Sequence, residues 1–218
     1  MSQPPRIAVV DYGMGNRRSV QKALDRVGAR AQVTRDEGEL RAADALVLPG
    51  VGAFPAGVAN LRRDGLDTIL HERAAAGTPL LGICLGMQLL FDRSSELGHR
   101  TAGLGLLGGE VRDLHAGRLR VPHIGWNDVH LQRASPLTAQ LPASEAPFYH
   151  VHSFIAVPDD DQDVVGTSEY GERFATIVAR GCVYGTQFHP EKSSRDGLRL
   201  LAAFVRLAGD RASIAVPA

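Results

Sequence analysis

The segment Leu80-Leu81-Gly82-Ile83-Cys84-Leu85-Gly86-Met87-Gln88 narrows the choice of fold more than any other stretch of the chain. An apolar run, expected as a strand over Pro79–Ile83, stops at a cysteine. A helix expected from near Leu85, with Met87, Leu89, Leu90 and Phe91 as its apolar residues, starts at once. Glycines stand two residues before and two after the sulfur, where so tight a turn leaves no room for side chains. This arrangement lifts a nucleophile above the end of a sheet, here with sulfur in place of a serine oxygen. The helix would aim its first amides and its positive end at Cys84 and so favour the thiolate. A strand continuously apolar in character belongs at the centre of a parallel sheet covered on both faces, so the turn predicts an α/β fold. Most lone cysteines simply pack. The paired glycines argue against that for Cys84, whereas Cys182, just before Val183, has no such setting and reads as packing.

The rest of the first half alternates strand and helix signals. Strands are expected at Ile7–Val10, Ala31–Thr34 and Ala45–Leu48. A helix capped by Asn16 presents Val20, Ala23, Leu24 and Val27 on one face, and two more are expected near Pro55–Leu61 and Leu66–Ala76. The second half changes texture. Glu110–Leu114, Phe148–Val157, Val164–Ser168, Ala175–Ala179 and Val183–Phe188 read as antiparallel strands added to the sheet, before a helix over about Arg195–Leu207. With no linker, repeat or low-complexity block, the 218 residues are expected to form a single domain with its core at about 6–207. The fold class is α/β, one open mixed β-sheet flanked by helices. In such sheets the site lies at the carboxyl ends of the strands.

Bulk properties remove several classes of function. Lysine plus arginine and aspartate plus glutamate balance at 24 each, so no field is built to grip nucleic acid or an anionic membrane. No apolar stretch is long enough to span a bilayer. The opening MSQPPRIAVVDYG runs into a strand pattern without the regions of a signal peptide, which leaves the cytoplasm as the expected location. Two cysteines in a reducing compartment are expected as free thiols.

A thiol nucleophile needs a base, and the base an orienting group. His189 follows an apolar strand, so it too should sit at a strand end. Pro190 stiffens the turn, and Glu191 can fold back to accept a hydrogen bond from one ring nitrogen while the other faces the sulfur. The rival pair, His150 and His152, shares one face of a strand. A metal site there needs a third ligand such as His123, and nothing in the sequence fixes one. The loop Leu48-Pro49-Gly50-Val51-Gly52 follows the third strand. Val51 N–H and the amide of Leu85 can meet an oxyanion. Gly50 and Gly52 would let the Val51 peptide flip between an inactive and an active orientation.

Taken together, Pro49-Gly50-Val51-Gly52, Gly82-Ile83-Cys84-Leu85-Gly86-Met87-Gln88 and His189-Pro190-Glu191-Lys192-Ser193 resemble the class I (triad) glutamine amidotransferases, whose architecture is flavodoxin-like. Asp11-Tyr12-Gly13-Met14-Gly15-Asn16, Gly103-Leu104-Gly105-Leu106 and Pro122-His123-Ile124-Gly125-Trp126-Asn127 resemble the glutaminase subunits of imidazole glycerol phosphate synthase in order and position, and Pro49-Gly50-Val51-Gly52 with the segment 122–127 narrows the resemblance to them. It runs from about Arg6 to Leu207. The resemblance implies a triad of Cys84, His189 and Glu191. It also implies that L-glutamine is held by Gly50, Gly52, Gln88 and Glu96 and by the backbone of Ser153 and Phe154. Asn16, Trp126, Tyr149 and Lys192 would face a (β/α)8-barrel cyclase subunit in a heterodimer. Ammonia would pass to that cyclase, which forms imidazole glycerol phosphate and an aminoimidazole carboxamide ribotide in histidine biosynthesis. No metal or organic cofactor is implied. Arg17 stands where a smaller or apolar residue is expected, and Phe154 where tyrosine is often found. The competing readings are a triad glutaminase serving another synthase, and a non-catalytic or chaperone-like protein of the same fold.

Overall fold

A computed structural model describes residues 3–142 and 144–214, with side chains of 211–214 left aside. Residues 1–2, 143 and 215–218 of the expected 1–218 domain lie outside the described residues. The first half runs β1 (Arg6–Val10), α1 (Arg17–Arg26), β2 (Arg30–Thr34), α2 (Glu37–Ala42), β3 (Ala45–Gly50), α3 (Phe54–Arg63), α4 (Leu66–Ala75), β4 (Leu80–Cys84) and α5 (Leu85–Leu89). The second half adds β5 (Phe91–Ser94), β6 (Thr101–Ala102), β7 (Leu107–Asp113), β8 (His123–Leu131), β9 (Glu145–His152), β10 (Phe154–Pro158), β11 (Val164–Tyr170), β12 (Glu172–Arg180), β13 (Val183–Thr186) and α6 (Ser194–Ile214).

The sheet is mixed and open, in the order β2-β1-β3-β4-β13-β12-β10-β7-β5-β6, with a side arm in which β11 pairs with β12 and β8, and β8 with β9. Strands β2, β1, β3, β4 and β13 are parallel. The inner four, β1, β3, β4 and β13, are buried almost throughout, whereas the edge strand β2 is exposed at Arg30 and Gln32. One core layer packs α3, α4 and α5 on one face through Phe54, Leu61, Ile69 and Leu85. The other packs α1 and α6 on the opposite face through Val20, Leu24, Leu201 and Phe204. No helix among the described residues is long and apolar enough to cross a membrane.

Several expectations are corrected. The strand ending the second half, β13, runs parallel to β4 rather than antiparallel, because it follows a hairpin return from β12. The helix after Cys84 ends at Leu89, and Phe91 already belongs to β5. Backbone amides of Leu104, Leu106 and Leu107 take the carbonyls of Leu89 and Leu90, which stops the helix. Phe148–Val157 is two strands, broken at Ser153. Asn16 occupies the position before α1 but makes no side-chain cap. Helix α2 is an addition to the expected elements; Asp36, directly before its first residue, caps it by accepting from Glu39 N at 2.9 Å.

Candidate active site at the ends of three parallel strands

Register places the site. Gly50 at the end of β3 pairs with Cys84 at the end of β4, and Thr186 at the end of β13 pairs with Ile83. The three segments singled out by sequence therefore lie side by side at one edge, as the strand-end rule demands. Cys84 adopts φ 54°, ψ −112°, left-handed for a residue with a side chain. Such a conformation costs about 1–3 kcal/mol and persists only where its surroundings enforce it. The glycines are part of that enforcement. A β-carbon on Gly86 would stand 1.7 Å from the Leu48 carbonyl oxygen, and one on Gly82 would stand 2.6 Å from the Gly86 carbonyl oxygen. No larger residue fits either place.

His189 is close enough to Cys84 to feel its charge, and His189 Nδ1 lies 3.0 Å from Glu191 Oε1. Both His189 and Glu191 are closed to solvent, with the Glu191 side chain 0% exposed. Burial pulls the His189 pKa down. The interactions with Cys84 and Glu191 outweigh it and raise the value to about 10. Among the described residues the second Glu191 oxygen has no hydrogen-bond partner. Backbone contacts hold the imidazole: His189 N donates to Tyr149 O at 2.9 Å, and Ser193 Oγ donates to His189 O at 2.7 Å.

Around this row the other foreseen residues fall as follows. Val51 is exposed just after Gly50, the register partner of Cys84, and Gly50 is buried beneath the Tyr12 hydroxyl, which donates to Pro49 O at 2.7 Å. Leu85 opens α5 directly after the sulfur. Gln88 does not face an open mouth. It is buried, and its Nε2 donates to Phe154 O and to Gln187 Oε1, both at 3.1 Å. Glu96 is also buried, and its Oε2 accepts from Phe54 N at 2.7 Å, capping α3. Ser153 links β9 to β10, and its carbonyl accepts from Leu114 N. Trp126 and Tyr149 face each other across β8 and β9, with ring centroids 6.1 Å apart and Trp126 54% exposed. Lys192 is exposed, next to Ser193, whose Oγ accepts from Tyr149 N at 3.0 Å. Asn16 follows the Gly15 turn, which packs on Gly50. Exposed Val121, Ile124 and Trp126 give this edge an apolar surface.

The three histidines do meet, because β8 and β9 pair His123 with His152. Their nitrogens are taken up by one another and by neighbours. His152 Nδ1 donates to Phe154 O at 2.9 Å, which leaves Nε2 to accept from His123 Nδ1–H at 3.1 Å. His150 spans Phe148 O and Thr176 Oγ1. Burial lowers the pKa of His123 to about 4 and, with help from the His123 charge, that of His152 to about 3; it also holds His150 well below 6.5. Bases held neutral in the fold bind protons more readily when unfolded. Their contribution is therefore complete above about pH 6.5 and is lost as pH falls towards 4. Thermal melts should show stability declining across that window, and the decline should be smaller in His150→Gln. A flat profile from pH 7 to 4 would count against neutral burial.

Sequence reasoning missed Gln187 and Tyr12 as parts of this site. A family model described as glutamine amidotransferase class-I matches residues 8–207. The chain is 53% identical to imidazole glycerol phosphate synthase subunit HisH of Moorella thermoacetica, over 94% of this chain and 97% of that one. It is 50% identical to the protein of the same name from Symbiobacterium thermophilum, over 94% and 95%. Among solved structures, PurLQS from Thermotoga maritima superposes with TM-score 0.76 at 23% identity, covering 94% of this chain and 99% of that one. A crystal structure of a glutamine amidotransferase gives TM-score 0.73 at 22% identity, over 93% and 98%.

Proposed function

This chain belongs to the class I glutamine amidotransferase family, and from that premise we propose that it is the glutaminase subunit of imidazole glycerol phosphate synthase. It hydrolyses L-glutamine to glutamate and ammonia. The observation that carries this reading is the convergence of Cys84 with the hydrogen-bonded pair His189 and Glu191 above three strand ends, in a chain with relatives of that name.

In the proposed reaction the Cys84 thiolate attacks the side-chain amide carbon of glutamine. The oxyanion is met by the amides of Val51 and Leu85. His189, which keeps its proton across the neutral range beside the thiolate, delivers it to the leaving ammonia. It then takes a proton from water, which releases glutamate from the thioester, while Glu191 holds the ring and balances its charge. Gly50, Gly52 and the backbone of Ser153 and Phe154 cradle the substrate. Gln88 and Glu96, each already engaged by a buried partner, would hold it through their remaining capacity.

Asn16, Trp126, Tyr149 and Lys192 form the face towards a (β/α)8-barrel cyclase in a cytoplasmic heterodimer. Ammonia passes to that subunit, which makes imidazole glycerol phosphate and aminoimidazole carboxamide ribotide for histidine synthesis. The exposed Val121, Ile124 and Trp126 support an interface there, since aromatic residues are enriched at the centres of such surfaces. Glutamate release should be measured for the chain alone and with the cyclase. Release that rises with cyclase and supports product formation is expected. No release in either case overturns the glutaminase reading, and release that never feeds the cyclase overturns the choice of synthase.

A further inference from the structure

The proposed reaction leaves one fully buried polar residue at the nucleophile without a task. Gln187 follows β13, and its own N–H is fixed by Thr176 O at 2.8 Å. Its side-chain nitrogen stands 3.9 Å from Cys84 Sγ. Its side-chain oxygen receives Gln88 Nε2 at 3.1 Å.

The orientation of both carboxamides follows from a single backbone carbonyl. Phe154 O can only accept, so the end of Gln88 that faces it at 3.1 Å is the NH2. That same nitrogen meets Gln187, which must therefore present its oxygen to Gln88. The nitrogen of Gln187 is then left facing the sulfur. Cys84 has a second neighbour of opposite preference, the Val151 carbonyl, 3.7 Å from Sγ. A thiol can donate to that carbonyl, whereas a thiolate can only accept, and an N–H directed at sulfur favours the charged form.

We propose that Gln187 is a positioning residue for the nucleophile: its carboxamide, locked by Gln88 and Phe154 O, donates to Cys84 Sγ and holds the sulfur as thiolate, turned from Val151 O. This rests on Cys84 being the nucleophile. His189 loses its proton in each turnover, so its support of negative charge is intermittent. Gln187 cannot lose its hydrogen at any working pH, and its support is constant.

The experiment follows alkylation of Cys84 by iodoacetamide against pH, with peptide mass analysis to separate it from Cys182. Wild type should show an inflection below the ordinary thiol value of about 8.5. Gln187→Met keeps length and loses the donor. It should raise the inflection by about one unit, slowing labelling at neutral pH about tenfold. Gln88→Met removes the lock and should shift it less, in the same direction. A filler of space would leave the pH profile unmoved, so coincident profiles for wild type and Gln187→Met overturn the proposal. If Gln187→Met does not fold, the Gln88→Met profile decides, a shift supporting and no shift overturning. An ordinary thiol profile in wild type brings down the nucleophile assignment, and this inference with it.

Discussion

Cys84→Ala is expected to lower glutamine-dependent synthesis by at least about 10⁴-fold, the scale on which removal of a covalent nucleophile acts. The loss should be confined to glutamine. Alanine carries the same β-carbon, so the left-handed backbone at this position costs it no more than cysteine. The sulfur is buried, so the face carrying Trp126 is untouched and cyclase binding should persist. Synthesis driven by ammonium salt with the cyclase present should therefore survive. Retained glutamine turnover in the variant would falsify the role given to Cys84, and loss of ammonia-driven synthesis would show damage beyond the missing sulfur.

Gly86→Ala should have the largest effect on stability of any single methyl added to the molecule. Its new carbon would lie 1.7 Å from Leu48 O and 2.7 Å from Leu48 C. Both atoms are backbone of β3, pinned between β1 and β4, with no flexible side chain to yield. Either α5 moves off the sheet, taking Leu85 and Cys84 with it, or β3 bends. A cost above about 4 kcal/mol is expected, the range of core overpacking with backbone strain. At this chain length the melting temperature should drop by roughly 10 °C, with glutamine turnover lost too. Gly209→Ala is the matched control. Gly209 lies in α6 without positive φ, and nothing stands within 4 Å of its would-be β-carbon. That change should stabilise by about 0.4–1 kcal/mol through the unfolded chain. Equal melting curves for the two variants would refute the close approach.

What could be read beforehand depended on how local the cause was. Cys84 and its glycines announce themselves because the steric conflict lies within five residues of chain. His189 and Glu191 do so because a proline and a two-residue spacing fix their relation. Asp36 announces α2 just as locally, although Gly38 weakens that helix. By contrast, Gln187 acquires its orientation from Gln88, 99 residues away, and no pattern near either reveals the contact. The histidine group needed the register of β8 with β9. Strand β8 itself is hard to see because Gly125 and the polar residues of His123–Leu131 dilute its alternation. The short span of α5 was hidden for a like reason: amides from residues 104–107, not a breaker in sequence, bring it to an end.

The position of β13 has a consequence for how the molecule comes to be made. Among the described residues it is the last strand, yet it lies between β4 and β12, where it joins the early parallel half of the sheet to the late antiparallel half. During synthesis, β4 must wait with an open inner edge until about a hundred further residues have emerged. His189 arrives only with the piece that seals this gap. A half-made polypeptide thus carries Cys84 without its base, and the reactive sulfur comes into being in the same event that completes the sheet.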